Sequence, residues 1–236
     1  MHDYESVPER MNIILYLSYT GFSKAAAEYL SKKTGYPLYS IHDVKEKVFD
    51  RVYFFFPVHA ERAPKAAYDF LKTIKYKSLV LIATFGRKHH GDALNDLIST
   101  CNLKINAGMY FPTKHSYIVD DDFNPPYEAL DELIDIDDDK FVTVPKVKTT
   151  FGATFKPTFR AKLAIKILCS SSCIKCNTCH NVCPTKAIKY GKIDNRCIRC
   201  GACVYNCPVK ALSFKLSFPL KKYLQDRKEG KPIIYK

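Results

Sequence analysis

Eight cysteines in this chain are spaced for metal rather than for disulfides. Cys173, Cys176, Cys179 and Cys183, followed by Pro184, spell C-x2-C-x2-C-x3-C-P. Cys197, Cys200, Cys203 and Cys207, followed by Pro208, spell the same pattern 24 residues later. Three thiolates at this interval wrap a loop around one iron-sulfur cubane with backbone amides aimed at its sulfurs. The fourth, expected to open a helix leading away, serves the other cluster. The spacing therefore assigns Cys173, Cys176, Cys179 and Cys207 to one 4Fe-4S cluster, and Cys197, Cys200, Cys203 and Cys183 to a second. Residues 173–188 and 197–212 share eight identities in sixteen, including Ile174/Ile198, Lys186/Lys210 and Ala187/Ala211, which marks an internal duplication. Structural zinc is the competing chemistry, but zinc sites usually set two separated C-x2-C pairs rather than four cysteines in eleven residues.

The remaining cysteines, Cys101 and Cys169, read as buried thiols, with a cluster-proximal redox role as the minor option for Cys169. A disulfide framework would need a secreted context. Met1 to Arg10 shows no basic segment followed by an apolar stretch, so the chain is expected in the cytoplasm. The longest apolar runs, Ile13–Leu17 and Val52–Val58, fall far below the about 18 residues of a membrane span, so no membrane partner is expected. The 236 residues suffice for two domains with their own cores.

Charge and cysteine divide the chain in the same place. Residues 151–236 hold 18 basic and 3 acidic residues, net +15, whereas 1–150 sum to −2. Pro145, Gly152 and Pro157 punctuate a Thr- and Lys-rich stretch between them. The expected domains are 11–150 and 151–236.

The second module needs little regular structure to hold its clusters: a hairpin of Ala187–Tyr190 and Lys192–Asn195 turning at Gly191, and a strand over Ala211–Leu216. In the first module the apolar run Asn12–Leu17 and a helix around Ala25–Leu30 make residues 18–24, Ser-Tyr-Thr-Gly-Phe-Ser-Lys, a strand-to-helix turn. Such a turn offers backbone N–H groups and a positive helix end to an anion. Gly21 permits close approach, and the hydroxyls of Ser18, Thr20 and Ser23 can bond phosphate oxygens. Ser and Thr are also ordinary helix caps, so the turn alone leaves both readings open.

The order that follows is strand 37–41, strand 51–58, helix 66–73, strand 79–84, helix 92–100 and strand 104–111. Its continuous apolar strands imply a parallel sheet covered on both faces. The fold class is therefore α/β, a flavodoxin-like doubly wound parallel sheet, followed by a small α+β ferredoxin domain with two 4Fe-4S clusters. In that fold the flavin sits at the carboxyl ends of the strands. The loops there would be 57–64, with Pro57, Val58, His59 and Ala60, and 84–91, with Thr84, Phe85, Gly86 and Arg87.

The second module resembles the bacterial two-cluster ferredoxins at every ligand position. SYTGFSK (18–24), FPVHAERAP (56–64), ATFG (83–86) with GDAL (91–94), and FPTKHSYI (111–118) occur in the order seen in the flavodoxin-ferredoxin fusions of anaerobes often called EFR-type ferredoxins. The resemblance runs from Met11 to about Phe218. It implies FMN in the first module, two 4Fe-4S clusters in the second, and a functional place for His115. Phe22 stands where many relatives have Asn, and no Trp is present to stack on a flavin, which leaves Tyr19, His59 and Phe85 as replacements.

His89 and His90 read as solvated imidazoles rather than metal ligands. The acidic runs Asp131–Asp139 and Asp120–Asp122 lack the spacing and Gly of an EF-hand and read as solvated faces.

No catalytic triad, carboxylate pair or catalytic zinc motif is present. The expected function is electron transfer between FMN, which handles one or two electrons, the one-electron clusters and a partner redox protein. The basic module calls for an acidic partner. The alternative is a flavin-dependent reductase fed by its own ferredoxin domain, with a small acceptor near His59, Arg62, Arg87 and His115. Nucleic-acid binding is disfavoured because no groove-reading motif accompanies the charge.

Overall fold

The computed structural model describes residues 11–45, 48–149, 157–225 and 230–236. The first module opens with strand β1 (Ile13–Tyr16), helix α1 (Phe22–Thr34) and strand β2 (Leu38–Ser40). Strand β3 (Val48–Pro57), helix α2 (Lys65–Leu71), strand β4 (Lys75–Phe85), helix α3 (Ala93–Cys101) and strand β5 (Ala107–Pro112) follow.

Side chains on a strand alternate faces, and β3 and β4 are apolar on both. Val52, Phe54, Phe56, Leu79, Leu81 and Ala83 face one core, with Ala67, Phe70 and Leu71 of α2 and Leu94 and Leu97 of α3. Tyr53, Phe55, Val80 and Ile82 face the other, with Ala26, Ala27 and Leu30 of α1. Two covered faces are what a parallel sheet requires. The strands run β2-β1-β3-β4-β5, all parallel, with Phe54 opposite Leu81 and Ile82 opposite Met109. This is the flavodoxin-like order, whose switch point lies at the carboxyl ends of β1 and β3.

Where a further helix would cover β1, β3 and β4, the chain places a 3-10 helix (Tyr127–Leu133) instead. Leu130, Leu133 and Ile136 are buried against α1 and the sheet. The acidic run is therefore not simply a solvated face: Asp138 pairs with Arg51 at 2.6 Å and Asp131 with Lys33 at 3.0 Å.

The second module comprises helix α4 (Pro157–Ala164), strand β6 (Ile165–Cys169), helix α5 (Thr178–Asn181), strands β7 (Ile188–Lys189) and β8 (Lys192–Ile193), helix α6 (Ala202–Tyr205), strand β9 (Leu212–Leu216) and helix α7 (Phe218–Gln225). Strands β7 and β8 form the expected hairpin, and β9 pairs antiparallel with β6, which the sequence reading lacked. The last strand, β10 (Ile233–Tyr235), returns to the first sheet and pairs antiparallel with β5, Ile234 opposite Met109. The edge of the parallel sheet is thus covered by residues grouped with the second module. The expected junction at 150/151 and residues 1–10 lie outside the described residues.

Candidate functional site

The two cysteine motifs fold into two small cavities, and each is ringed by three thiols of one repeat and the fourth of the other. Cys173, Cys176, Cys179 and Cys207 line the first, and Cys197, Cys200, Cys203 and Cys183 line the second. Among the described residues no three His, Cys, Asp or Glu side chains crowd close enough to hold a single metal ion.

The repeats achieve this with the same backbone. Lys175 and Arg199 have φ of 56° and 61°, Asn177 and Gly201 have 64° and 86°, and Lys186 and Lys210 have 52° and 50°. Left-handed backbone at non-glycine residues is costly and concentrates at functional sites. Alternating right- and left-handed residues turn successive N–H groups into an anion-binding concavity. Arg199 N–H points at Cys197 Sγ at 3.4 Å, Ala187 N–H at Cys183 Sγ at 3.3 Å, and Ala211 N–H at Cys207 Sγ at 3.2 Å. The fourth cysteine does not open a helix as expected. Helices α5 and α6 precede Cys183 and Cys207, and the left-handed residues Lys186 and Lys210 turn the chain onward.

The two rings differ in access. In the first, Cys176 is exposed and Cys173 and Cys207 are half-buried; in the second, Cys183, Cys197 and Cys203 are buried. Burial pushes the Cys200 and Cys203 thiols up to about 12, a cost that bound iron would offset by displacing their protons. Cys169 is exposed, contrary to the sequence reading, because β6 ends at the surface beside Gly191 and Cys173. Cys101 is half-buried, its Sγ 3.9 Å from the Tyr68 carbonyl.

A third cavity of about 520 Å³ opens at the carboxyl ends of the parallel strands, within the size range of cofactor sites. Tyr19 and Thr20 after β1, Pro57, Val58, His59 and Ala60 after β3, and Phe85 and Gly86 after β4 line it. These are eight of the residues expected to meet a flavin. Lys88, His89, His115, Ser116 and Tyr117 line it too, and Arg160, Ala161, Ser217, Leu220 and Tyr223 close it from the second module.

The other expected residues stand elsewhere. Ser18 Oγ accepts the Gly21 N–H at 3.1 Å, and Gly21, at φ 92°, caps α1 in open space. Ser23 is buried and shares a 2.7 Å hydrogen bond with Thr84, which ties the start of α1 to the end of β4. Phe22 sets its ring edge-on to Tyr205 of α6, centroids 5.5 Å apart. Arg87 was expected in the loop beside the flavin ring. It is instead buried, bonds Asp121 at 2.6 Å and lies over Phe123. A buried guanidinium needs a carboxylate, and the acidic triplet 120–122 supplies it. Arg62 pairs with Asp96 at 3.5 Å.

His90 is half-buried, stacked on Tyr110 at 3.8 Å, whereas His89 is exposed and accepts the Gly91 N–H on Nδ1. His115 accepts the Tyr117 N–H on Nδ1 at 3.2 Å. Its burial, reinforced by Arg87 and Lys88 and opposed by Asp121, lowers it to about 4, so the ring is neutral with its proton on Nε2. Gly86 is required here because a Cβ would sit 2.5 Å from the His115 ring. Burial also lowers His59, opposed by a backbone hydrogen bond with Ile198, and its Nε2 is shielded from solvent.

The large cavity and the second cysteine ring share a wall: Cys200 lines both. Tyr117 Oη donates to the Arg199 carbonyl at 2.9 Å, and its ring meets Phe214 at 5.2 Å. Tyr205 Oη donates to the Ile118 carbonyl at 3.4 Å, and Arg160 pairs with Glu61 at 3.7 Å. Sequence reasoning missed Cys200 as a junction and Tyr117 as its anchor, since neither position carries a signal of what lies across the module boundary.

No curated protein matches the chain. A crystal structure of a Bacteroides uniformis ATCC 8492 protein described as a flavoprotein is similar over 39% of this chain and 82% of its own, at 17% identity and TM-score 0.33. Residues 170–189 and 191–213 match the family model of the 4Fe-4S binding domain. Residues 170–213 are thus a 4Fe-4S binding domain, set against a sheet whose strand order is flavodoxin-like.

Proposed function

We propose that the chain is a flavodoxin-ferredoxin fusion of the EFR type that passes electrons between FMN, two 4Fe-4S clusters and an acidic partner redox protein. The observation that carries this reading is Cys200, common to the wall of the large cavity and to the second cysteine ring.

The residues fit each group. Each ring gathers three thiols of one repeat and the fourth of the other, the ligand set of a cubane in a two-cluster ferredoxin. The large cavity offers Tyr19, Phe85 and Tyr117 as walls for a flat ring. Of the turn 18–23, Tyr19 and Thr20 reach the cavity, while Ser18 Oγ accepts the Gly21 N–H and Ser23 Oγ bonds Thr84. FMN exchanges one or two electrons and each cluster one, so the pair can convert between the two stoichiometries. The protein's part is to hold these groups in sequence and exclude water. Tyr117 fastens the loop of Cys200 to the first module, and α4 and α7 cover the cavity.

The reductase alternative expected His59, Arg62, Arg87 and His115 beside a small acceptor. His59 and His115 line the cavity, whereas Arg62 and Arg87 pair with Asp96 and Asp121. Steady turnover of a small acceptor in the absence of a protein partner would restore that reading. The carrier reading is tested by analysis of protein purified without oxygen, where about eight irons and one FMN per chain are expected. Absence of either cofactor overturns it.

A further inference from the structure

The two cysteine rings are unequal in a way that orders them. The second faces the large cavity through Cys200, and its other three cysteines are buried. The first lies away from that cavity and has the exposed Cys176.

Around that first ring the surface is apolar. Ile174 is 63% exposed, Tyr190 47% and Val209 38%, and all three line the cavity of the four sulfurs. Large apolar side chains exposed together mark an interaction site rather than ordinary surface. Their flanks are cationic. Lys175 lines the same cavity, Lys210 follows Val209, and Lys189 lies with its Nζ 5.6 Å from the Tyr190 ring; all three lysines are exposed. Asp194 is the one carboxylate side chain among the described residues of the second module, and it is bonded to Arg196 at 2.6 Å. No acid of the module's described surface therefore neutralises this rim.

We infer that Ile174, Tyr190 and Val209, rimmed by Lys175, Lys189 and Lys210, form the docking face for an acidic redox protein, which exchanges electrons with the first cluster. The inference rests on the carrier reading and adds to it an order: flavin cavity, second ring, first ring, partner. An apolar centre with a charged rim is the anatomy of a protein interface, and cations on the rim steer an acidic protein while suppressing a basic one. Electron-transfer encounters are small and short-lived, so the complex is better trapped than isolated.

The test uses the anaerobic holoprotein and a plant-type 2Fe-2S ferredoxin of net negative charge as probe. Carbodiimide joins lysine amines to carboxylates only in direct contact, and the joined residues are mapped by mass spectrometry. Cross-links at Lys175, Lys189 and Lys210, lost at high salt, support the inference. Cross-links concentrated at Lys32, Lys72 and Lys75, in the last turn of α1, at the end of α2 and at the start of β4, or none above the high-salt background, overturn it. As a second measurement, the triple variant Lys175→Glu, Lys189→Glu, Lys210→Glu should slow reduction of the probe by about tenfold or more at low salt. The same reversal at Lys32, Lys72 and Lys75 should change it little. Equal effects of the two triples would contradict a localised face. Neither cross-link mapping nor the probe comparison requires transfer from flavin to cluster, so failure of the carrier reading shows separately, in the cofactor count.

Discussion

Tyr117, in the loop that leaves β5, donates its phenolic hydrogen to the carbonyl oxygen of Arg199 at 2.9 Å. Arg199 precedes Cys200, the residue shared by the large cavity and the second cysteine ring. This hydrogen bond ties down the loop between the large cavity and the second cysteine ring, and the Tyr117 ring adds an edge contact with Phe214.

Tyr117→Phe keeps the ring and removes the donor, leaving the Arg199 carbonyl without this bond. The expected cost is about 0.5–1.5 kcal/mol of stability, read by denaturant unfolding. Iron and flavin content should be unchanged while flavin-to-cluster transfer slows. A variant as stable and as fast as the parent would show that the bond holds nothing in place.

The crossed ligand sets give an asymmetric expectation. Cys183→Ser should damage the cluster of Cys197, Cys200 and Cys203, and Cys207→Ser that of Cys173, Cys176 and Cys179, because each fourth cysteine lines the other repeat's cavity. Paramagnetic resonance of the reduced proteins distinguishes the two. Loss of the cluster nearest in sequence would contradict the assignment.

Gly191 sits at φ 78°, and a Cβ there would lie 2.3 Å from Cys169 Sγ and 3.9 Å from Cys173 Sγ. Gly191→Ala should therefore perturb the first cluster and spare the second, with a backbone strain of about 1–3 kcal/mol in addition to the clash. Adding Cys169→Ala removes the sulfur and should restore part of the lost iron. If Gly191→Ala binds iron like the parent, the hairpin turn has more freedom than its contacts imply.

Arg87 and Asp121 form a buried pair, so Arg87→Gln should remove the cation from a carboxylate that keeps only the His115 and Phe123 N–H groups, at a cost of about 3 kcal/mol. Lys88→Gln, on the cavity wall, should cost less stability and instead lower the potential at which bound flavin takes its last electron, because a nearby cation favours the reduced anion. Thermal unfolding separates them: Arg87→Gln loses more. Equal losses would contradict the burial argument.

The histidines predict an acid-sensitive fold. His115 is lowered from 6.5 to about 4 by burial, so below pH 6.5 the unfolded chain binds a proton that the folded chain refuses. Its contribution is intact above pH 6.5, declines as pH falls toward 4, and is fully lost below that. His59 and His90 are lowered in the same sense. His115→Gln should therefore lose less stability than the parent between pH 7 and 4, measured by denaturant midpoints. An identical pH slope would show His115 to be unshielded.

Legibility in the sequence followed the range of the interactions. The cysteine rings were readable because their ligands are fixed by short spacings, and β3 and β4 because burial on both faces demands unbroken apolar runs such as Tyr53–Phe56. The phosphate-turn residues Tyr19 and Thr20 and the loops at His59 and Phe85 reach the cavity as the strand-helix order implied. What stayed hidden depends on partners distant along the chain. Arg87 is expected beside the flavin because Asp121, 34 residues on, gives no local sign of reaching it. Likewise, β10 is three residues whose identity as a strand comes only from the open edge of β5. His90 was read as solvated because the Tyr110 ring beneath it belongs to another strand.

The most direct test of electron flow through the shared wall at Cys200 is flash reduction of the anaerobic holoprotein. A photoexcited deazaflavin delivers one electron, and flavin absorbance and the cluster resonance are followed in time. The account predicts that electron density moves between flavin and cluster in a phase whose rate is independent of protein concentration and slower in Tyr117→Phe. Transfer that is absent, or that scales with protein concentration, would contradict it.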